Sequence, residues 1–346
     1  MRINASSAKA KVANNLVEEL QNYFVKKLDN LSSTFGESKT FKAVEWLRDE
    51  GSHGGGVRFE ARDESVFNRG SVNVSQVHYD DDKNKKLSSA TAISCIIHPK
   101  NPHVPSMHMH FSWTEMRDGK GYWRLMADLN PSLLPDNISK KHFDEMLKVA
   151  AGEEQIAEGL AQGERYFNIP VLERTRGVSH FYLENFNRGD FEEDRRYVEQ
   201  FAKKVIDCYI NISINALKKH ERYTPQERQK QIDYHTLYFF QVLTLDRGTT
   251  SGLLIHSQND VGIMGSIPSH INPDLLSSWI EKMPKPQDKL LISLLESLPK
   301  ENHTPIDVET KKRLANAVRV HYKKYPKALE LQASGEIIPP TLSNHL

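Results

Sequence analysis

Cysteine is scarce. Cys95 and Cys208 are the only two in 346 residues, and they form no Cys-x-x-Cys pair. That counts against a disulfide framework and against a structural zinc finger. Cys95 sits within an apolar stretch, where a buried, inert thiol is the ordinary reading. No apolar run approaches the roughly 18 residues that span a bilayer. The first twenty residues carry no apolar core of a secretory signal. The expectation is a soluble, cytoplasmic, globular protein without a membrane span. An excess of one charge is also missing: 46 Lys and Arg face 45 Asp and Glu, a net +1. This removes the electrostatic case for nucleic acid. An anionic ligand must then be held by local arginines and backbone amides. The chain has no GxSxG, no Walker loop and no GxGxxG between a strand and a helix. Gly54-Gly55-Gly56 precedes a strand and reads as a flexible turn. There is no repeat, low-complexity tract or internal composition break. One domain over 1–346 is expected, with about 300–346 as a helical C-terminal extension.

What is present is a meander. Residues 92–98 and 108–116 read as strands joined by a stiff loop with three prolines. An Asp118-Gly119 turn leads to a third run, 122–129. Val72, Val74 and Val77 mark a strand before them, and 178–183 one after. Amphipathic spacing predicts helices over 6–31, 137–163 and 191–220. A short helix is expected at 39–49, and another from Pro225 to about Asp233. The aromatic and β-branched run 237–245 reads as a strand, and 251–256 with 261–267 as a hairpin. The stretches 272–298 and 308–333 read as helical. Strands meandering through tight turns pair antiparallel. The fold class is therefore α+β, a large, mostly antiparallel sheet covered by helices.

The meander concentrates titratable groups. His108 and His110 are two apart on a strand and so face one side. His98, His108 and His110 offer imidazoles for a metal, but with no HExxH-type spacing and no evident partner carboxylate. The other reading is hydrogen-bonded core or surface rings. Asp128 closes an apolar run; it is either a buried functional acid or a turn residue before Asn130-Pro131. Arg174, Arg176 and Arg247 stand beside glycines and suit a carboxylate, or form surface ion pairs.

Certain of these residues also fall into a longer pattern. Ser71-Val72-Asn73-Val74-Ser75-Gln76-Val77-His78 is followed by Ser94. Then come His98-Pro99-Lys100-Asn101-Pro102-His103-Val104-Pro105-Ser106-Met107-His108, then Trp123 and Ala127-Asp128-Leu129-Asn130-Pro131. Arg176-Gly177-Val178, Asp246-Arg247-Gly248-Thr249 with Gly252-Leu253, and Ile263-Met264-Gly265-Ser266-Ile267-Pro268 complete it. In order and spacing this resembles the oxygen-dependent coproporphyrinogen III oxidases of haem biosynthesis, from about Gly54 to Pro268. HPxNPxVPxxH is the most specific part.

The resemblance implies a flat antiparallel sheet between helical layers, in a homodimer. It implies oxidative decarboxylation of two propionates to vinyl groups, using molecular oxygen and no organic cofactor. By that likeness His108 is the acid/base, and Asp128 bonds the central pyrrole N–H groups. Ser94 contacts the substrate and Arg247 takes a propionate. His110 and Arg176 are further candidates for substrate binding. His98 and His108 match histidines assigned to a divalent metal in some bacterial members. The sequence also departs from the pattern. HxNxR becomes His108-Met109-His110-Phe111-Ser112, and the glycine run before the aspartate becomes Arg124-Leu125-Met126. Arg124 is a candidate for the propionate partner lost at Ser112. The lost glycines leave open an alternative: a homologue that binds a tetrapyrrole or another polycarboxylate without turnover, or that has an altered substrate.

Overall fold

The computed structural model describes residues 1–335 together with Leu342 and His345. Its centre is a seven-stranded sheet. The strands are β1 (Lys42–Leu47), β2 (Gly54–Glu60), β3 (Phe67–His78), β4 (Leu87–Pro99), β5 (Ser106–Met116), β6 (Gly121–Asn130) and β7 (Ser179–Phe186). They lie side by side in chain order, and every neighbouring pair is antiparallel. This is the expected α+β architecture. Helix α1 (Ala8–Phe35) precedes the sheet, α2 (Asn137–Phe167) connects β6 to β7, and α3 (Phe191–Lys219) follows.

Strand alternation divides the chemistry between two faces. On one face Val72, Val74, Ile93, Cys95, Met107, Met109 and Phe111 pack against Leu20 and Phe24 of α1 and Val198 and Phe201 of α3. The residues between them, including Ser94, His108 and His110, point to the other face. There α4 (Pro225–Thr244), α5 (Arg247–Ile255) and the C-terminal helices build a second apolar cluster. The sheet contributes Ile96 to it. The protein is thus a sheet between two helical layers, with polar side chains on the sheet's second face.

Several expectations from sequence are corrected. The 39–49 stretch is edge strand β1, because pairing with β2 overrides a locally helical pattern. Gly54-Gly55-Gly56 is no flexible turn but the start of β2. A Cβ there would lie 2.1 Å from the Gln76 carbonyl oxygen, 2.3 Å from that of Trp46 and 2.0 Å from that of Val74. The run 237–245 belongs to one helix with 225–233. Its nine residues are all buried, and an apolar run that is buried all round has no stripe to reveal its period. The supposed hairpin at 251–267 is α5 followed by short helical turns. Asp246 caps α5 by accepting the Thr249 amide at 2.6 Å, a signal passed over in the sequence. The 272–298 stretch is broken into Pro273–Ser277, a 3-10 turn and Gln287–Glu296. Beyond residue 300, helix Val308–Lys324 places Leu314, Ala315 and Val318 in the second cluster, so this part is packed core. The rest of the expected extension, from 336 on, lies outside the described residues except for Leu342 and His345.

Candidate active site

A cavity of about 240 Å³ lies between the polar face of the sheet and the layer of α4 and α5. Strand register builds its floor. Asn73 stands opposite Ser94, Ser94 opposite His110, and His110 opposite Met126. One step along, His108 stands opposite Asp128. Tyr166, Tyr182, Tyr238, Gln241 and Thr249 add to the lining.

Asp128 is fully buried. Its Oδ1 lies 3.0 Å from His108 Nδ1. Its Oδ2 accepts from Asn130 Nδ2 at 2.6 Å and from Arg176 Nη2 at 3.0 Å. Burial raises the carboxyl, but Arg176, then His108 and Asn130, outweigh it and hold Asp128 down at about 2. An acid held so low is a fixed anion and a poor base. The carboxylate accepts the proton on His108 Nδ1, which leaves Nε2 as the ring's basic atom. The pair is an oriented imidazole, as in a nucleophile-activating dyad, with Asp128 fixing its tautomer.

Arg176 is 2% exposed. It donates through Nη1 to Asn130 Oδ1 at 2.6 Å and through Nε to Gln241. Its guanidinium lies 4.9 Å from the Phe167 ring centroid and 5.1 Å from that of Tyr238. Three of its five donors therefore hold protein groups, and its geometry positions Asp128. Gly177 follows it at φ +84, where a Cβ would sit 2.6 Å from Asn130 Oδ1. Only glycine turns the chain there without strain.

His110 differs from His108. Its Nε2 is buried without a partner among the described residues. Burial, then Arg124 and His108, push it down to about 3, so the ring is neutral. Ser94 lines the cavity beside it. Arg124 stands directly across from Ser112, where the sequence lacks an arginine. It gives Nε to Glu184 Oε1 at 2.9 Å, and Nη2 reaches the same oxygen. Glu184 Oε2 is left buried and unpartnered among the described residues. Arg247 opens α5 and does not end a strand. Its Nε donates to the Ala333 carbonyl at 3.3 Å, and its Nη2 is buried without a partner among the described residues.

The metal expectation meets a different arrangement. His98 is fully buried outside the cavity lining. Its Nε2 faces the Ser266 carbonyl at 3.2 Å and so carries the proton. Its Nδ1 then accepts from Ser106 Oγ at 2.9 Å. Neither nitrogen has a lone pair to give, so His98 and His108 do not fit as ligands of one ion. Among the described residues no group of three or more His, Cys, Asp or Glu is placed to hold a metal.

The sequence reading singled out Ser94, His108, His110 and Asp128, and the fold brings them together. It passed over Asn130, Gln241, Tyr166 and Glu184. Asn130 was legible as the residue two past Asp128 on a strand. Gln241 was legible as the lone amide within an apolar run.

The chain as a whole is similar in sequence to known proteins of one family. The profile of the coproporphyrinogen III oxidase family matches residues 12–278, and the chain belongs to that family. It is 30% identical over 284 residues to the mitochondrial oxygen-dependent coproporphyrinogen-III oxidase of Rattus norvegicus, covering 75% of this chain and 61% of that protein. The Drosophila melanogaster oxygen-dependent coproporphyrinogen-III oxidase is 28% identical, with 74% and 69% covered. The protein of that name from Prochlorococcus marinus is 26% identical, with 84% and 95% covered. The match therefore spans less than two thirds of the rat protein's length and nearly all of the cyanobacterial one's.

Proposed function

We propose that the protein is a divergent oxygen-dependent coproporphyrinogen III oxidase. It converts two propionates of coproporphyrinogen III to the vinyl groups of protoporphyrinogen IX, with molecular oxygen as co-substrate and no organic cofactor. The observation that carries this reading is His108 in the cavity lining, paired with the buried Asp128 behind it. Asp128 is held ionised by Arg176 and Asn130, and it presents His108 as a proton acceptor of defined tautomer. The chemistry needs that combination: a base for a pyrrole N–H proton, and a fixed negative charge close to the cation that develops as the ring is oxidised.

Around the pair, Ser94 and His110 offer neutral hydrogen-bonding groups to the macrocycle. Arg124 and Arg247 offer guanidinium donors to its propionates, Arg247 through an Nη2 that has no partner among the described residues. Arg176 holds Asp128 in place and does not itself meet a propionate. No step is routed through a metal, because the donor set does not suit one. We include in this reading a single domain working as a homodimer in the cytoplasm. The two free cysteines suit a reducing compartment, and no helix among the described residues is long and apolar enough to cross a membrane.

The test is an assay on the purified protein with freshly reduced coproporphyrinogen III, in air and without oxygen. Product is read as protoporphyrin fluorescence after oxidation. Product in air alone, with matching oxygen uptake, is expected. Absence of product in air rejects the reading.

A further inference from the structure

Of the three arginines that the sequence offers to a carboxylate, Arg176 holds Asp128 and Arg247 opens α5. Arg174 is in neither place. It lines a second cavity, of about 570 Å³, where the chain after β6, residues 172–174, α4 and residues 275–282 meet. This cavity shares no lining residue with the active-site cavity.

Its charge is one-sided. Arg174, Lys230 and Lys282 stand around it, all three exposed. Among the described residues none of them makes an ion pair. The lining carries one carboxylate, Asp233. Asp233 Oδ1 already accepts from Gln229 Nε2 at 2.9 Å and from Asn272 Nδ2 at 3.2 Å. The whole chain sets 46 Lys and Arg against 45 Asp and Glu, so the rim is a local excess of positive charge. Exposed cations alone mark nothing, since water satisfies them. Two further features point to a ligand. Ser132 lines the cavity and is 9% exposed, and its Oγ is buried without a partner among the described residues. A hydroxyl in that state has lost water and gained no acceptor. The walls are also apolar: Leu237 and Trp279 line the cavity, and Leu134 beside them is 55% exposed.

We propose that this cavity binds a small amphiphilic carboxylate, its oxyanion among Arg174, Lys230 and Lys282 and its apolar body against Leu134, Leu237 and Trp279. Such a ligand supplies the negative charge that the rim lacks and offers Ser132 Oγ an acceptor. The volume lies within the range of small-ligand sites. The sign of the rim counts against a metal ion. The site does not rest on the oxidase reading.

The experiment is isothermal titration of the wild-type protein with 2-naphthoate and with octanoate, each compared with its uncharged amide. Saturable binding of at least one acid is expected, tighter than that of its amide by about tenfold or more. The triple variant Arg174→Gln, Lys230→Gln, Lys282→Gln alters only exposed side chains and should unfold in urea as the wild type does. It should bind the acid more weakly by about tenfold or more. Equal affinity of variant and wild type would place the acid elsewhere and overturn the proposal. Equal affinity for acid and amide, or no saturable binding of either acid, overturns it as well.

Discussion

Asp128 joins the fold's most buried charge to its proposed chemistry. Replacing it by Asn leaves Arg176 as an uncompensated buried cation. Asp128→Asn should lose about 3–5 kcal/mol in urea unfolding, and activity with it. Its ion pairing also sets an acid limit. Asp128 titrates at about 2 when folded and at about 3.9 when unfolded. Its contribution, on the order of 2–3 kcal/mol, is complete above the unfolded value and is lost as pH falls through 4 toward 2. His110 acts in a separate window. Folded, it stays neutral down to about 3, whereas the unfolded ring takes a proton below about 6.5. Stability therefore falls as pH drops from 6.5 toward 3. His110→Phe should remove about one proton from that dependence, roughly 1.4 kcal/mol per pH unit near pH 5. Urea titrations at several pH values read both. His110 was legible in the sequence because strand alternation puts 108 and 110 on one face, and Asp128 because it closes an apolar run. The contacts that tune Asp128 were not. Arg176 meets Asp128 across 48 residues and is itself held by Gln241, and only the packed fold brings the three within reach.

At the scale of elements, the strands of the meander were readable because turns and alternating residues mark them. Helix α4 was read half as helix and half as strand, since burial on every side erases the stripe that distinguishes the two. Its start is well specified. Thr224 accepts the Glu227 amide at 3.2 Å, and Glu227 returns to the Thr224 amide at 2.7 Å, a reciprocal cap. Thr224→Ala should cost about 1 kcal/mol without altering the cavity. The crossing of α2 over β7 is less forgiving. A Cβ on Gly163 would sit 2.8 Å from His180 Cβ and 2.9 Å from its backbone carbon. The strand cannot move aside without disturbing the Asp128–His180 register. Gly163→Ala should destabilise by about 1–3 kcal/mol, measured by thermal or urea unfolding.

Across the whole molecule, the two helical layers do different work. The layer of α1 to α3 packs tightly on the apolar face. The other layer closes a cavity of about 240 Å³, below the roughly 300–1,000 Å³ of small-ligand sites. Arg124 and Met126 project into the lining and fill part of that space. The covering segment contributes Asp246, Gly248, Gly252 and Gly262 to the lining, and its movement away from the sheet is the expected way to make room for a tetrapyrrole. Hydrogen exchange in residues 247–266 should slow on addition of coproporphyrin, while α1 and α3 stay unchanged. Equal exchange with and without the porphyrin would show that the cover takes no part. The domain's sandwich was legible from the order of its elements. The size of the cavity was not, because it depends on how side chains from two layers meet.

The central claim is that His108, oriented by Asp128, is the base for a reaction on a tetrapyrrole. The most direct measurement compares wild-type and His108→Gln protein in aerobic turnover of freshly reduced coproporphyrinogen III, followed as protoporphyrin fluorescence. The account predicts turnover by the wild type and a rate lower by about 10²–10⁴ in the variant, with circular dichroism unchanged. Equal rates in the two, or no product from the wild type, would contradict it.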